Sequence, residues 1–196
     1  MILLTAIIAG ILTGWGYARW KGWTWHPPLF QFVWLVVIGF LPQWFAFYLP
    51  WTRQNMSDGL ASICLVCSQA LLLIFALLNL HITGMPLLAL GLGCNLAVIL
   101  ANGGFMPLTW EAAESLAGPS VLNNLELGGR IGSGSKDILL LNTQIVLPWL
   151  ADRFVPPPFM PYRFAFSLGD VCIAVGAFWL LIAGENFNTS TLSGEE

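Results

Sequence analysis

The chain has 196 residues, of which 57% are apolar and only 9% charged, and its mean hydropathy is +0.77. Charged residues make up roughly a quarter of an ordinary soluble domain, so too few are present here to clothe a soluble core. A net charge of −3 with no basic stripe also excludes nucleic-acid binding.

The charge-free gaps set the predicted elements. No Asp, Glu, Lys or Arg precedes Arg19, and none falls between Lys21 and Arg53, in the 52 residues between Asp58 and Glu111, or between Asp170 and Glu185. A hydrocarbon core about 30 Å thick takes about 20 residues of helix. The gaps therefore predict an all-α integral membrane protein with about five transmembrane helices and one long extramembrane loop. The first span, Ile2–Tyr17, reads as a retained anchor, since no basic residues precede it and no small-residue cleavage site follows. The next are Leu29–Leu49, kinked at Pro42, then Leu60–Ile82 and Leu87–Ala101, separated by Gly84-Met85-Pro86. The fifth is Phe164–Ala183. Trp20, Trp23, Trp25, Trp44 and Trp51 flank the first two in the manner of an aromatic belt, whereas Trp179 lies inside the last.

Residues 102–163 form the long loop. It opens Asn102-Gly103-Gly104, passes a short helix-compatible piece at Glu111–Leu116, and reaches a Gly/Ser stretch, 128–136, that reads as a mobile linker. The apolar run Ile138–Leu150 is too short to span and is broken by Asn142, Gln144 and Pro148, so an interfacial helix is expected there. Residues 1–184 make one membrane domain, and 185–196 form a polar acidic tail. Arg19 and Lys21, directly after the first span, place the N-terminus outside by the positive-inside rule.

Several patterns carry little chemistry. Cys64 and Cys67 form a C-x-x-C within a span, where a thiolate is disfavoured and packing is the better reading. The Gly/Ser stretch lacks the Gly-Lys-Ser/Thr order of a phosphate loop, and Asn188-Thr189-Ser190 matches a glycosylation acceptor by spacing alone. His26 and His81 fall at one side of the predicted topology. They are candidate ligands for a haem or chlorophyll-like macrocycle, set against an ordinary interfacial role. No third ligand accompanies them, so no metal site is expected, and no cofactor is assigned.

Asp152 and Asp170 are the candidate catalytic residues. A carboxylate near membrane depth marks a functional site by default. Two brought together cannot both ionise easily, so one keeps a proton while the other acts as base. The competing reading is structural. Ser167 and Asp170 have capping-box spacing, and Asp152 beside Arg153 fits an interfacial residue.

The stretch Ala151-Asp152-Arg153-Phe154 through Phe166-Ser167-Leu168-Gly169-Asp170, with Ile173-Ala174-Val175-Gly176-Ala177 after it, resembles the C-terminal part of lipoprotein signal peptidases. Those are membrane aspartic peptidases that act on diacylglyceryl-modified precursors. The resemblance implies catalytic roles for Asp152 and Asp170, supporting roles for Asn102 and Ser167, and a lipoprotein substrate. Ser167 stands where that family has Asn, and Gly169 where it has Ala. Over its full length, through Asn102-Gly103-Gly104 and Ser167-x-Gly169-Asp170, the chain resembles a family of uncharacterised bacterial multi-pass membrane proteins with a domain of unknown function. That likeness implies a multi-pass protein of the inner membrane, with the lipid bilayer as partner and an unknown biochemical role. Two specific alternatives stand beside it: an aspartic membrane peptidase, and a structural or pigment-associated subunit of a membrane complex.

Overall fold

The computed structural model describes residues 2–117, 127–132, 134–157, 159 and 163–187. These are mostly helical. The helices are α1 (Ile2–Lys21), α2 (Trp34–Phe47), α3 (Pro50–Asn55), α4 (Asp58–Leu78), α5 (Met85–Ala101), α6 (Trp110–Ala117) and α7 (Leu168–Ala183). Between and after them lie four short strands, β1 (Thr24–His26), β2 (Met106–Thr109), β3 (Asp137–Leu140) and β4 (Glu185–Phe187), and a 3₁₀ turn at Pro148–Leu150. Helices α1 and α4, of 20 and 21 residues, are long and apolar enough to cross a membrane. Helices α2, α5 and α7 are apolar but shorter, at 14, 17 and 16 residues.

Local chemistry explains where the helices start and stop. α2 begins five residues later than the gap suggests, because Asn79 clamps the preceding turn. Its Oδ1 accepts from Gln31 N–H at 2.7 Å and its Nδ2 donates to Gln31 C=O at 3.0 Å. α2 then runs through Pro42 to Phe47, and Pro50 opens the separate α3. α4 is capped by Ser57, and Gly84 in the left-handed region turns the chain into α5.

α1 lies parallel to α7: Gly10 packs on Phe178 and Gly14 on Leu181 and Ile182. α5 and α7 run antiparallel along a glycine seam in which Gly84 meets Gly176 and Gly91 meets Gly169, each backbone against backbone. A Cβ at any of these four positions would collide with the facing helix. At one end, β1 pairs antiparallel with β4, and Trp25 Nε1 donates to Leu181 C=O at 3.0 Å. That end carries Arg19 and Lys21. The first three residues of the predicted tail are thus strand, while Asn188-Thr189-Ser190 lies outside the described residues.

The other end is covered by the loop, which departs from expectation in two ways. First, Ile138–Leu150 is not an interfacial helix. Its start is β3, parallel to β2, with Met106 opposite Asp137 and Thr109 opposite Leu140. It then passes through turns to the 3₁₀ turn at Pro148–Leu150. The polar breaks at Asn142 and Gln144 leave no continuous helical face, and pairing with β2 satisfies the backbone instead. Second, the described part of 128–136 is not a loose linker. It folds back on β3, with Gly128 N–H donating to Leu139 C=O at 2.8 Å and Leu139 N–H to Gly129 C=O at 3.1 Å. Arg130 anchors it, with the guanidinium 5.4 Å from the ring centroids of both Phe47 and Phe105 and 3.0 Å from Asp58. Ser133 lies outside the described residues.

Three apolar clusters follow this layering. One joins the helix tops to the sheet through Ala46, Leu65, Val98, Phe105 and Ile138. Another fills the far end around Phe75, Met85, Ala89 and Leu180, and a small one seats α6 on Leu108 and Leu139.

Arg130→Ala removes two ring contacts, a hydrogen bond from Nε to Ser135 C=O and an ion pair whose Asp58 partner is largely solvated, so the rings and the Ser135 bond supply most of the roughly 1–2 kcal/mol expected loss. Limited trypsin digestion in detergent should then cut at Lys136 well before it does in the parent.

Candidate functional site

β2 is the middle member of a three-way parallel arrangement, with β3 on one side and an isolated bridge from Leu108 to Asp152 on the other. Asp152 N–H donates to Pro107 C=O at 2.9 Å, and Thr109 N–H donates to Asp152 C=O at 3.2 Å. Pro107 is tolerated in the middle because its missing N–H faces the Asp152 side, where pairing is a single bridge. Met106 lies opposite Asp137 and Leu108 opposite Asp152, and Met106 and Leu108 share one face of the strand. Asp137 and Asp152 therefore point the same way, towards the helix ends.

They point into a cavity of about 620 Å³ that Asp170, Asn95 and Lys136 also line. The structure thus brings both predicted carboxylates to one site. Asp170 lies in the first turn of α7, shallower than a helix starting at Phe164 would place it. Phe166 is held extended by paired bonds with Phe154, of 2.9 and 3.1 Å, so the helix cannot begin before Leu168.

The capping and site readings of Asp170 hold together. Ser167 Oγ accepts from Asp170 N–H at 3.1 Å while Asp170 Oδ2 accepts from Ser167 N–H at 3.2 Å, a complete capping box. The other oxygen, Oδ1, accepts from Asn95 Nδ2 at 2.9 Å. Ser167 Oγ in turn donates to Asn95 Oδ1 at 3.0 Å. The Asp170 carboxylate is thus held at both oxygens, by Ser167 N–H and by Asn95 Nδ2.

Asp152 is different. It is 6% exposed, and its Oδ1 has no hydrogen-bond partner among the described residues. Burial, then the Asp137 and Asp170 carboxylates, push its pKa up to about 8, against a smaller opposing pull from Lys136. Burial likewise raises Asp137, although Lys136 and the Ser135 hydroxyl oppose the rise. Burial works against the Lys136 ammonium, but Asp137, Asp170 and Asp152 together outweigh it and hold the pKa above the ordinary lysine value. Lys136 keeps accessible surface while surrounded by protein atoms, as a residue lining a cavity does.

The remaining candidates lie elsewhere. Asn102 caps α5 and clamps the loop, donating to Val146 C=O at 2.8 Å and accepting from Val146 N–H at 2.9 Å. It supports the architecture without lining the cavity. His26 and His81 are exposed at the opposite end, His81 beside a smaller cleft of about 230 Å³. Among the described residues no group of three or more His, Cys, Asp and Glu is placed to hold a metal ion, and all four cysteines are free. Asn95, Lys136, Asp137 and Gln69 also line the cavity, and sequence reasoning missed them. For Asn95 and Gln69 the available signal was a lone amide inside an otherwise apolar helix.

Between its ordinary value of 3.8 and about 8, native Asp152 keeps a proton that the unfolded chain has released, so its contribution to stability falls as pH rises through that window. Asp152→Asn should unfold several degrees above the parent at pH 8.5 and within about 2 degrees of it at pH 4, read as thermal midpoints in detergent at one scan rate.

Comparison with curated proteins and with solved structures finds no match. One family model does match, over residues 29–182, a range that contains α2 to α6, all but the last residue of α7, and every polar residue of the site named above. The chain belongs to DUF5317, a family of unknown function.

Proposed function

We propose that the chain is a five-span protein of the inner membrane, in which Asp152 and Asp170 act as the acid–base pair of an aspartic peptidase. The observation that carries the chemistry is the convergence of the two carboxylates, 18 residues apart in sequence, on one cavity where the helices meet the sheet. Asp152, protonated at neutral pH, serves as the acid. Asp170, oriented by Asn95 and Ser167, serves as the base that takes a proton from water. The water attacks a peptide carbonyl, and Asp152 delivers its proton towards the departing amine. The resemblance to lipoprotein signal peptidases around Asp152 and Asp170 makes a diacylglyceryl-modified precursor the first substrate to test.

The five-span reading rests on the outward faces. Each of the five long helices exposes large apolar side chains, including Leu12, Val37, Ile63, Leu90 and Trp179, all more than half exposed. Such a surface suits lipid, not water. At 1.5 Å per residue, α2, α5 and α7 measure about 21–26 Å, so flanking turns complete their crossing of a core about 30 Å thick. Helices α1, α4 and α7 descend from the loop end, and α2 and α5 return. The Arg19/Lys21 end is then cytoplasmic, and the cavity opens towards the outer face.

Two experiments test this. In a background with the four cysteines replaced, Lys21→Cys and Gly132→Cys should react with an impermeant maleimide from opposite sides of the membrane; labelling from one side overturns the topology. In a precursor-cleavage assay on purified protein, Asp152→Asn and Asp170→Asn should each lower turnover by about 10³-fold or more. Turnover unchanged in both overturns the pair.

A further inference from the structure

The helical wall of the cavity is built in two layers. α2, α4, α5 and α7 each give it one polar residue: Gln43, Gln69, Asn95 and Asp170. Each also gives an apolar residue three positions away, Phe40, Leu72, Leu92 and Ile173 respectively. Residues three apart share a helix face. In every case the apolar member lies farther from the loop, since the offset is backward on the helices rising towards it and forward on those descending from it.

The polar residues also lie at one height. Asn95 and Asp170 are joined directly at 2.9 Å. Gly39 packs on Leu71 and Leu72, and from that level Gln43 and Gln69 rise towards the loop by about 6 and 4 Å. Counted from the α4–α5 turn, Gln69 and Asn95 stand about 14 and 15 Å up their helices. A polar ring therefore sits on an apolar floor, beneath Asp152 and Lys136.

Gln69 is the unexplained member of the ring. It is 9% exposed, lies in the middle of an apolar helix, lines the cavity, and its Oε1 has no partner among the described residues. An amide buried there without a partner is unfavourable, and a ligand that supplies one resolves it. An alkyl chain has nothing to offer Gln69. A helical peptide has already paired its backbone internally. An extended peptide segment frees both N–H and C=O, and a glutamine amide carries one acceptor and two donors to meet them.

We infer that this layered end of the cavity is a subsite for an extended peptide. Gln69 pairs with the backbone of one peptide group, and the floor of Phe40, Leu72, Leu92 and Ile173 takes a neighbouring apolar side chain. The substrate class rests on the peptidase reading above; the binding itself does not require hydrolysis.

The test uses the full-length protein in maltoside micelles and a probe hexapeptide of alanine and leucine, acetylated and amidated, with one leucine replaced by its diazirine analogue. After irradiation, mass spectrometry should place the label on the floor residues. Excess unmodified hexapeptide should displace it, and palmitate at equal concentration should not. Gln69→Leu, close in size, should lower floor labelling about tenfold. Label scattered over the lipid-facing residues, equal displacement by palmitate, or undiminished labelling in Gln69→Leu each overturns the subsite. If Gln69→Leu gives no monodisperse protein, the label map and the palmitate competition on the parent decide alone. Asp152→Asn separates the two readings: it should abolish precursor cleavage and keep the floor labelling. Floor labelling in a parent that cuts no precursor leaves the subsite standing and removes the peptidase.

Discussion

The backbone pairing of four residues, Met106–Thr109, determines where Asp137 and Asp152 stand in the cavity. β2 holds Asp137 through its pairing with β3, and holds Asp152 through two hydrogen bonds on its other edge. A parallel ladder repeats every two residues, so Asp137 and Asp152 face the helices together or not at all. The strand itself hangs from α5, and the folded-back segment on β3 is anchored to α2 and α4 through Arg130. Loop and helices therefore form one structural unit, and neither could place the carboxylates alone.

Within that frame, the site concentrates like charge around the buried Asp152. Three carboxylates and one ammonium share the cavity, and the Asp152 carboxyl answers by keeping its proton. Asp170 is treated differently, since the capping box and Asn95 hold its carboxylate with hydrogen bonds from Ser167 N–H and Asn95 Nδ2. Two aspartates thus receive unlike environments from their supports, one carboxyl with an unpaired oxygen and the other with both oxygens paired.

Sequence reading reached some of this and missed the rest for identifiable reasons. Charge-free gaps located all five long helices, and lone Ser and Asp residues gave the cap of α7. The spacing of Asp152 and Asp170 suggested that they meet, but not by what means, because Asp152 is seated on β2, a strand more than 40 residues before either of them. β2 carries Pro107 and is four residues long, which hides it from any periodicity. The segment 128–136 looked like a linker because Gly and Ser dominate it. Its order comes from backbone pairing with β3 and from Arg130, whose aromatic partners Phe47 and Phe105 lie far away in sequence. Asn95 and Gln69 were passed over because a single amide barely dents the hydropathy of a helix, although a buried amide among apolar side chains needs a partner.

The glycine seam between α5 and α7 has a consequence for how the site assembles. Its contacts fall at Gly84 and Gly91 on one helix and at Gly176 and Gly169 on the other, two rungs seven residues apart. Such a seam works as a vernier. Shifting one helix along the other by a single turn presses a side chain into facing backbone at both rungs, so intermediate registers are forbidden. Gly169 is the residue before Asp170, and the lower and upper rungs together index Asn95 to it. The hydrogen bond between Asn95 and Asp170 is consequently all-or-none, locked in when the two helices seat and lost entirely when they part.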